Sequence, residues 1–229
     1  DIYPWRMGRG LSYMRRPLLI IEKNNQTMVA WGVRQLFASL DYLLRATFSG
    51  RLQDSFRSRE MKKILGQIRS AEGDKFNDRV YQSILGFSSV TVDKKVKKIQ
   101  GKRIGFPGND LGDLDIIAIF PRSRTLAVIE CKDLEIARNA IEMSWELETL
   151  FIGNERVEST IAKHIKRVSW VKSNLSLVLE EYGIESHRKW KIEPLLVVSS
   201  EMMTPYFYNS RIPIFSLSQF ISNYLPEHL

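Results

Sequence analysis

Cysteine and histidine are scarce in this chain. Its 229 residues include one cysteine, Cys131, and three histidines, His164, His187 and His228, which excludes an internal disulfide and leaves no Cys/His cluster at zinc-ligand spacing. Long apolar runs are missing as well. The longest are short pieces such as Pro17–Ile21 and Ile116–Phe120, far below the roughly 18 residues a membrane-spanning helix needs. No charged-then-apolar leader opens the sequence, which starts at Asp1 rather than Met. It therefore reads as a processed protein or, in preference, a piece cut from a longer one, and the single cysteine suits an intracellular, cytoplasmic setting with no membrane partner. Internal repeats and low-complexity tracts are also absent. What remains is a globular composition, 44% hydrophobic and 10% aromatic, enough for one substantial core or two small ones.

Acidic residues are sparse in one region only. Residues 1–70 carry 13 Lys/Arg against 5 Asp/Glu, whereas residues 71–229 carry 21 of each, so the net charge of +8 sits in the first third. A basic segment beside a balanced domain suits a nucleic-acid partner, because Lys and Arg neutralise phosphates and release counterions; a solvated basic face is the alternative. The sequence divides into a basic N-terminal hairpin and helix segment over 1–70 and a second domain over 71–229.

Within the first segment, two apolar stretches around Asn24-Asn25 predict a hairpin over 17–31. Val33, Leu36, Phe37, Leu40, Leu43, Leu44 and Phe48 predict an amphipathic core helix that stops at Gly50. Met61, Ile64, Leu65 and Ile68 continue with helical spacing up to a boundary near residue 70. Beyond it the pattern predicts a helix over 74–86, a strand over 89–96, and a glycine-punctuated flexible connection through Gly101, Gly105, Gly108 and Gly112. Gly101-Lys102 is followed by Arg103 where a phosphate-binding loop has Ser or Thr, so nucleotide binding is rejected. Strands over 113–120 and 125–132, helices over 134–151 and 156–182, strands over 195–199 and 212–215, and a closing helix with Ser216 and Gln219 at capping-box spacing complete the pattern.

The central hairpin is where chemistry emerges. Four turn residues, Pro121 to Arg124, place Phe120 opposite Thr125, so every cross-strand pair sums to 245. Asp115 then faces Glu130, and Asp113 faces Lys132. Side chains alternate with period two, so all four polar groups share one face at one end of the hairpin. Ile117, Ile119, Leu126 and Val128 lie behind them, while Leu114, Ile116, Ala118, Phe120, Ala127, Ile129 and Cys131 occupy the other face. Both faces are apolar, as in a sheet covered by helices on two sides, and Cys131 reads as a core thiol. Crowded carboxylates repel unless a cation sits between them. Hard oxygen ligands such as Asp115 and Glu130 suit Mg²⁺ or Mn²⁺, with Lys132 placed to orient or deprotonate an attacking water. That combination supports phosphodiester hydrolysis.

GDLDIIAIF followed by TLAVIECKDL resembles the Asp…Glu-x-Lys signature of the PD-(D/E)XK nuclease superfamily, the restriction-endonuclease-like fold. The resemblance covers about residues 71–225. It implies an α/β fold with a mixed central sheet flanked by helices, with Asp115 and Glu130 as metal ligands, Lys132 as catalytic lysine, and DNA as substrate. Relatives often carry a glutamate on the first core helix, in a pattern like G-x-x-F-E, where this chain has Asn77. Glu72 or Asp78 are candidate substitutes, and Asp113 is a candidate extra ligand. Lys163, His164, Lys166 and Arg167 form a basic turn as a candidate phosphate contact, Trp170 reads as packing, and Glu142 and Glu146 are remote metal candidates. The resulting expectation is a divalent-metal-dependent nuclease of prokaryotic restriction or antiphage defence, working with a sensor domain or subunit outside this chain or as a homo-oligomer. The alternative is a catalytically silent nuclease-like domain that binds nucleic acid or a partner protein.

Overall fold

The structure is a computed structural model and describes residues 17–52, 58–137, 140–185 and 189–229. His187 and the basic residues Arg6, Arg9, Arg15, Arg16 and Arg57 lie outside these residues. The chain forms two compact units, the first ending at Glu72 and the second beginning at Gly73, with Ile141 grouped with the first.

In the first unit, β1 (Leu18–Lys23) and β2 (Gln26–Trp31) form the expected antiparallel hairpin. Asn24 and Asn25 both adopt positive φ, 52° and 59°, the conformation a two-residue turn between right-twisted strands requires. Next, α1 (Val33–Phe48) ends at Ser49, and Gly50 follows at φ +70°. The expectation that α1 is a core helix is corrected here: Val33, Leu36, Phe37, Leu40, Leu44 and Phe48 are exposed. Helical periodicity reports an apolar face but not its partner. α2 (Arg59–Leu85) then runs unbroken through the expected boundary near residue 70. Gly66 and Gly73 sit inside it with open space around them, and each costs the helix only about 1 kcal/mol relative to alanine.

The second unit is built on five strands: β3 (Thr91–Val96), β8 (Leu114–Phe120), β9 (Thr125–Lys132), β10 (Lys191–Val198) and β11 (Ile214–Ser216). Their order is β11-β10-β9-β8-β3, with β3, β8 and β9 antiparallel and β9, β10 and β11 parallel. This is the mixed sheet the α/β reading expects. Between β3 and β8 the expected flexible connection is instead two small hairpins, β4 (Lys98–Ile99) with β5 (Lys102–Arg103) and β6 (Gly105–Phe106) with β7 (Asn109–Asp110). Ile99 and Ile104 anchor them in the core.

The crossover from β9 to β10 contains α3 (Ala140–Leu147), a π-helical turn at Glu148–Ile152, α4 (Thr160–Ser173) and α5 (Leu175–Glu181). The expected helix over 156–182 is thus two helices that meet at Asn174, and the expected start at 134 moves to 140. After β11, α6 (Leu217–Gln219) opens with the Ser216/Gln219 capping box and passes through a π-helical turn at Phe220–Tyr224 into α7 (Leu225–His228).

Helices cover both sheet faces. Ile116, Ala118, Phe120, Ala127, Ile129 and Cys131 pack with Phe76, Val80 and Ile84 of α2 and with Phe220, Tyr224 and Leu225. Ile117, Ile119, Leu126 and Val128 pack with Val168, Trp170 and Val171 of α4 and with Val178 and Leu179 of α5. Leu114 joins this second cluster rather than the first, a departure from strict alternation at the first residue of its strand. Burial of one such aliphatic side chain contributes roughly 1.5–3 kcal/mol, so the β8–β9 hairpin is clamped on both faces. No helix among the described residues is long and apolar enough to cross a membrane.

Candidate active site

The β8–β9 ladder has the register expected from the four-residue turn. Phe120 pairs with Thr125, and the pairing is regular to Ile116 with Ile129. One step further, Asp115 and Glu130 emerge from the apolar part of the hairpin. The backbone N–H of Cys131 donates to Asp115 Oδ2 at 2.9 Å, which ties the aspartate to the opposite strand. Parallel pairing of Val198 with Lys132 holds the end of β9 from the other side. The Ser199 N–H donates to the Lys132 carbonyl at 3.1 Å, so the Glu130-Cys131-Lys132 segment is fixed on both flanks.

Glu130 is the centre of charge. Its side chain is 6% exposed, with Lys132 Nζ 2.8 Å from Oε1 and Arg167 Nη1 2.7 Å from Oε2. The His164 ring is buried, with Nδ1 3.6 Å from Glu130 Oε2 and Nε2 3.1 Å from the Val128 carbonyl. A carbonyl only accepts, so Nε2 carries the hydrogen of that contact. Burial works to raise the Glu130 pKa, but His164, Lys132 and Arg167 hold it well below the usual carboxylate range. Asp115 goes the other way, pushed up by burial and by the neighbouring Glu130 charge, with the Cys131 N–H, Lys132 and Arg167 opposing. Two carboxylates in one site are thereby tuned apart. Cys131 is buried and its thiol is pushed up mainly by desolvation, which keeps it unreactive.

The other sequence candidates separate. Asp113 lines a cleft beside the site, together with Lys97, Lys98, Arg103, Asp110 and Gly112. Asp78 pairs with Lys94 at 2.5 Å, and Glu72 belongs to the first unit. Of the basic turn on α4, His164 and Arg167 face Glu130, whereas Lys163 is exposed and Lys166 pairs with Glu158 at 2.8 Å. Glu146 accepts from Thr204, and Glu142 is half-buried in the first turn of α3. Trp170 is a core residue.

Arg167 also reaches the backbone at the edge of the cleft. Its Nε donates to the Leu111 carbonyl at 2.8 Å, and a Cβ placed on Gly112, whose φ is +77°, would lie 3.5 Å from its Nη2.

Sequence reasoning missed one basic cluster altogether. Six of the ten residues 94–103, KKVKKIQGKR, are Lys or Arg, a signal diluted when charge is averaged over residues 71–229.

Among the described residues no group of three or more His, Cys, Asp or Glu side chains is disposed to hold a metal ion. Two carboxylates are nonetheless the donor set that suits Mg²⁺, which commonly takes one or two carboxylates and completes its shell with water and substrate phosphate. No hydrogen bond to the Asp115 carboxylate other than that from Cys131 is present among the described residues.

Comparisons with known proteins cover much of the chain. A family model described as "Upx-like: Anti-phage protein Upx-like" matches residues 1–217. No curated protein matches. Among solved structures, the small subunit of the heterodimeric restriction endonuclease R.BspD6I is similar over 68% of this chain and 72% of its own, at 12% identity and a TM-score of 0.34.

Proposed function

We propose that this chain, which belongs to the Upx-like family of anti-phage proteins, is a divalent-metal-dependent nuclease that hydrolyses phosphodiester bonds in DNA as part of a defence system. The observation that carries this reading is the convergence of Asp115, Glu130 and Lys132 at one end of two paired strands. Asp115 and Glu130 would hold the Mg²⁺ or Mn²⁺ ion, which supplies Lewis-acid polarisation of a phosphoryl oxygen and a more acidic bound water.

The chain's own groups divide the remaining work. The Lys132 ammonium has three donors, one directed at Glu130, which leaves the others for an attacking water or a phosphate oxygen. Its charge stabilises the extra negative charge of a pentavalent transition state. Arg167 and His164 hold the Glu130 carboxylate in place.

A second reading has one specific observation in its favour. Both Glu130 oxygens are already engaged by cationic side chains, Oε1 by Lys132 and Oε2 by Arg167, as in a structural ion-pair network, which suits a silent nuclease-like domain that binds DNA.

One experiment separates the two. Supercoiled plasmid, single-stranded DNA and RNA are incubated with the protein in Mg²⁺ or Mn²⁺, with EDTA and Lys132→Ala as controls. The nuclease reading expects metal-dependent cleavage that EDTA abolishes and Lys132→Ala lowers by roughly 10²–10³-fold. Intact substrates in both metals, with wild-type and Lys132→Ala proteins binding DNA equally, would establish the binding module instead.

A further inference from the structure

The residues 94–103 carry six positive charges, and the fold spends only half of them on itself. Lys94 pairs with Asp78 at 2.5 Å and Lys95 with Asp74 at 2.8 Å, which fastens β3 to α2. Lys102 donates to Asn174 Oδ1 at 2.7 Å and lies over the Trp170 ring at 5.9 Å, which fastens β5 to α4. Lys97, Lys98 and Arg103 instead line an open cleft of about 320 Å³ with Gly112 and Asp113 in its wall. Lys97 and Lys98 have no acidic partner among the described residues. Arg103 has a loose one, Asp110 at 3.6 Å, and Asp110 also accepts from the Gly112 N–H at 2.9 Å.

The position of the cleft is informative. Asp113 is two residues from Asp115, roughly 7 Å along an extended chain. Arg167 spans the distance between them, bonded to Leu111 beside the cleft and to Glu130 in the active site. Against the three cations the wall carries two carboxylates, Asp110 and Asp113, so the cleft keeps a net positive charge that an anion bound beside Lys97 and Lys98 would offset.

We propose that this cleft is a backbone-phosphate site: Lys97, Lys98 and Arg103 seat a phosphodiester of the bound nucleic-acid strand, next to the one presented to Asp115, Glu130 and Lys132. The inference rests on the reading of nucleic acid as the ligand but does not require that the ligand be cut. Phosphate contacts of this kind set register along the strand and carry no base specificity.

The test is equilibrium binding of a labelled DNA duplex in EDTA across a salt series, with the intact chain. Each lost phosphate contact lowers the slope of log K against log salt by about 0.9. Lys97→Ala/Lys98→Ala/Arg103→Ala therefore lowers the slope by about 2 to 3, with the thermal midpoint unchanged because the three side chains are exposed. Lys97→Arg/Lys98→Arg keeps the slope. Arg122→Ala/Lys191→Ala, at the opposite end of the sheet, is the control for loss of charge in general.

An unchanged slope in the triple variant, or an equal drop in the control, overturns the proposal. So does a variant that loses affinity for inorganic phosphate alone while its DNA slope stays the same, which would make the cleft a small-anion site. Cleavage is scored separately: a protein that binds through the cleft but never cuts would leave this inference standing and remove the nuclease reading, and a protein that cuts with an unchanged slope would do the reverse.

Discussion

Glu130 concentrates the energetics of the site in one residue. A carboxylate buried this deeply is costly unless its oxygens are met by donors, and here Lys132, Arg167 and His164 all supply positive or polar contact. Arg167→Met removes the charged bond at 2.7 Å and leaves the Leu111 carbonyl without its donor. A loss of roughly 1.5–3 kcal/mol is expected from chemical denaturation. Arg167→Lys recovers only part of it, because an ammonium cannot span both partners as the guanidinium fork does. Equal stability of wild type and Arg167→Met would show that Lys132 and His164 suffice. The convergence of Asp115, Glu130 and Lys132 was legible in the sequence because a short turn fixes the register and period two then fixes the face. Arg167 was legible only as one of four basic residues in a turn. The signal that singles it out was nevertheless present: His164 falls on the core stripe of Ile161, Ile165 and Val168, and Arg167 is three residues further on the same side.

At the scale of elements, α4 delivers both of these groups, so its start matters. Ser159 is buried at the N-cap, and its side chain accepts from the Ala162 N–H at 3.2 Å. The connection into it bends at Gly153, φ +80°, where a Cβ would stand 2.8 Å from the Ser159 nitrogen; no other residue fits that approach without a shift. Ser159→Ala is expected to lower stability by about 1 kcal/mol, read as a lower denaturation midpoint, with Ser159→Asp restoring most of it. If Ser159→Asp is no better than Ser159→Ala, the cap is not what holds this end. Elements with strong local signals, the Asn24-Asn25 hairpin and the Ser216/Gln219 cap, were readable from sequence. The unbroken α2 was not, since its first half is polar and basic while its second half packs on the sheet through Phe76, Val80 and Ile84, a change of surroundings along one helix that reads in sequence as a boundary near residue 70. Nor were the two hairpins over 98–110, whose glycines mark tight turns in ordered structure as well as flexible chain.

Across the whole molecule, the second unit has two charged poles. At the pole away from the active site, Glu193 receives Lys191 at 2.5 Å and the Tyr224 hydroxyl at 2.5 Å, with His228 Nε2 at 3.6 Å, and so fastens the closing helical segment to β10. Burial raises the Glu193 pKa, but the bonds from Lys191 and Tyr224 outweigh it and hold it below its ordinary value. A carboxylate depressed in the folded state stabilises above its unfolded pKa, near 4.5, and that contribution disappears as pH falls through the folded value. Glu193→Gln is therefore expected to be less stable than wild type at pH 7, by roughly 1–3 kcal/mol, with the gap closing below about pH 4.5. Parallel stability curves from pH 7 to pH 3 would rule this out. The other pole is assembled from parts with very different sequence separations. Asp115 and Glu130 are brought together by a four-residue turn, Arg167 arrives from 37 positions beyond Glu130, and β10 closes over a still longer crossover. Loop closure favours the nearest partners first. The acidic pair is therefore expected to meet before α4 docks, with Lys132 as its adjacent cation, which would make the hairpin that forms the site also the step at which like charges resist chain compaction.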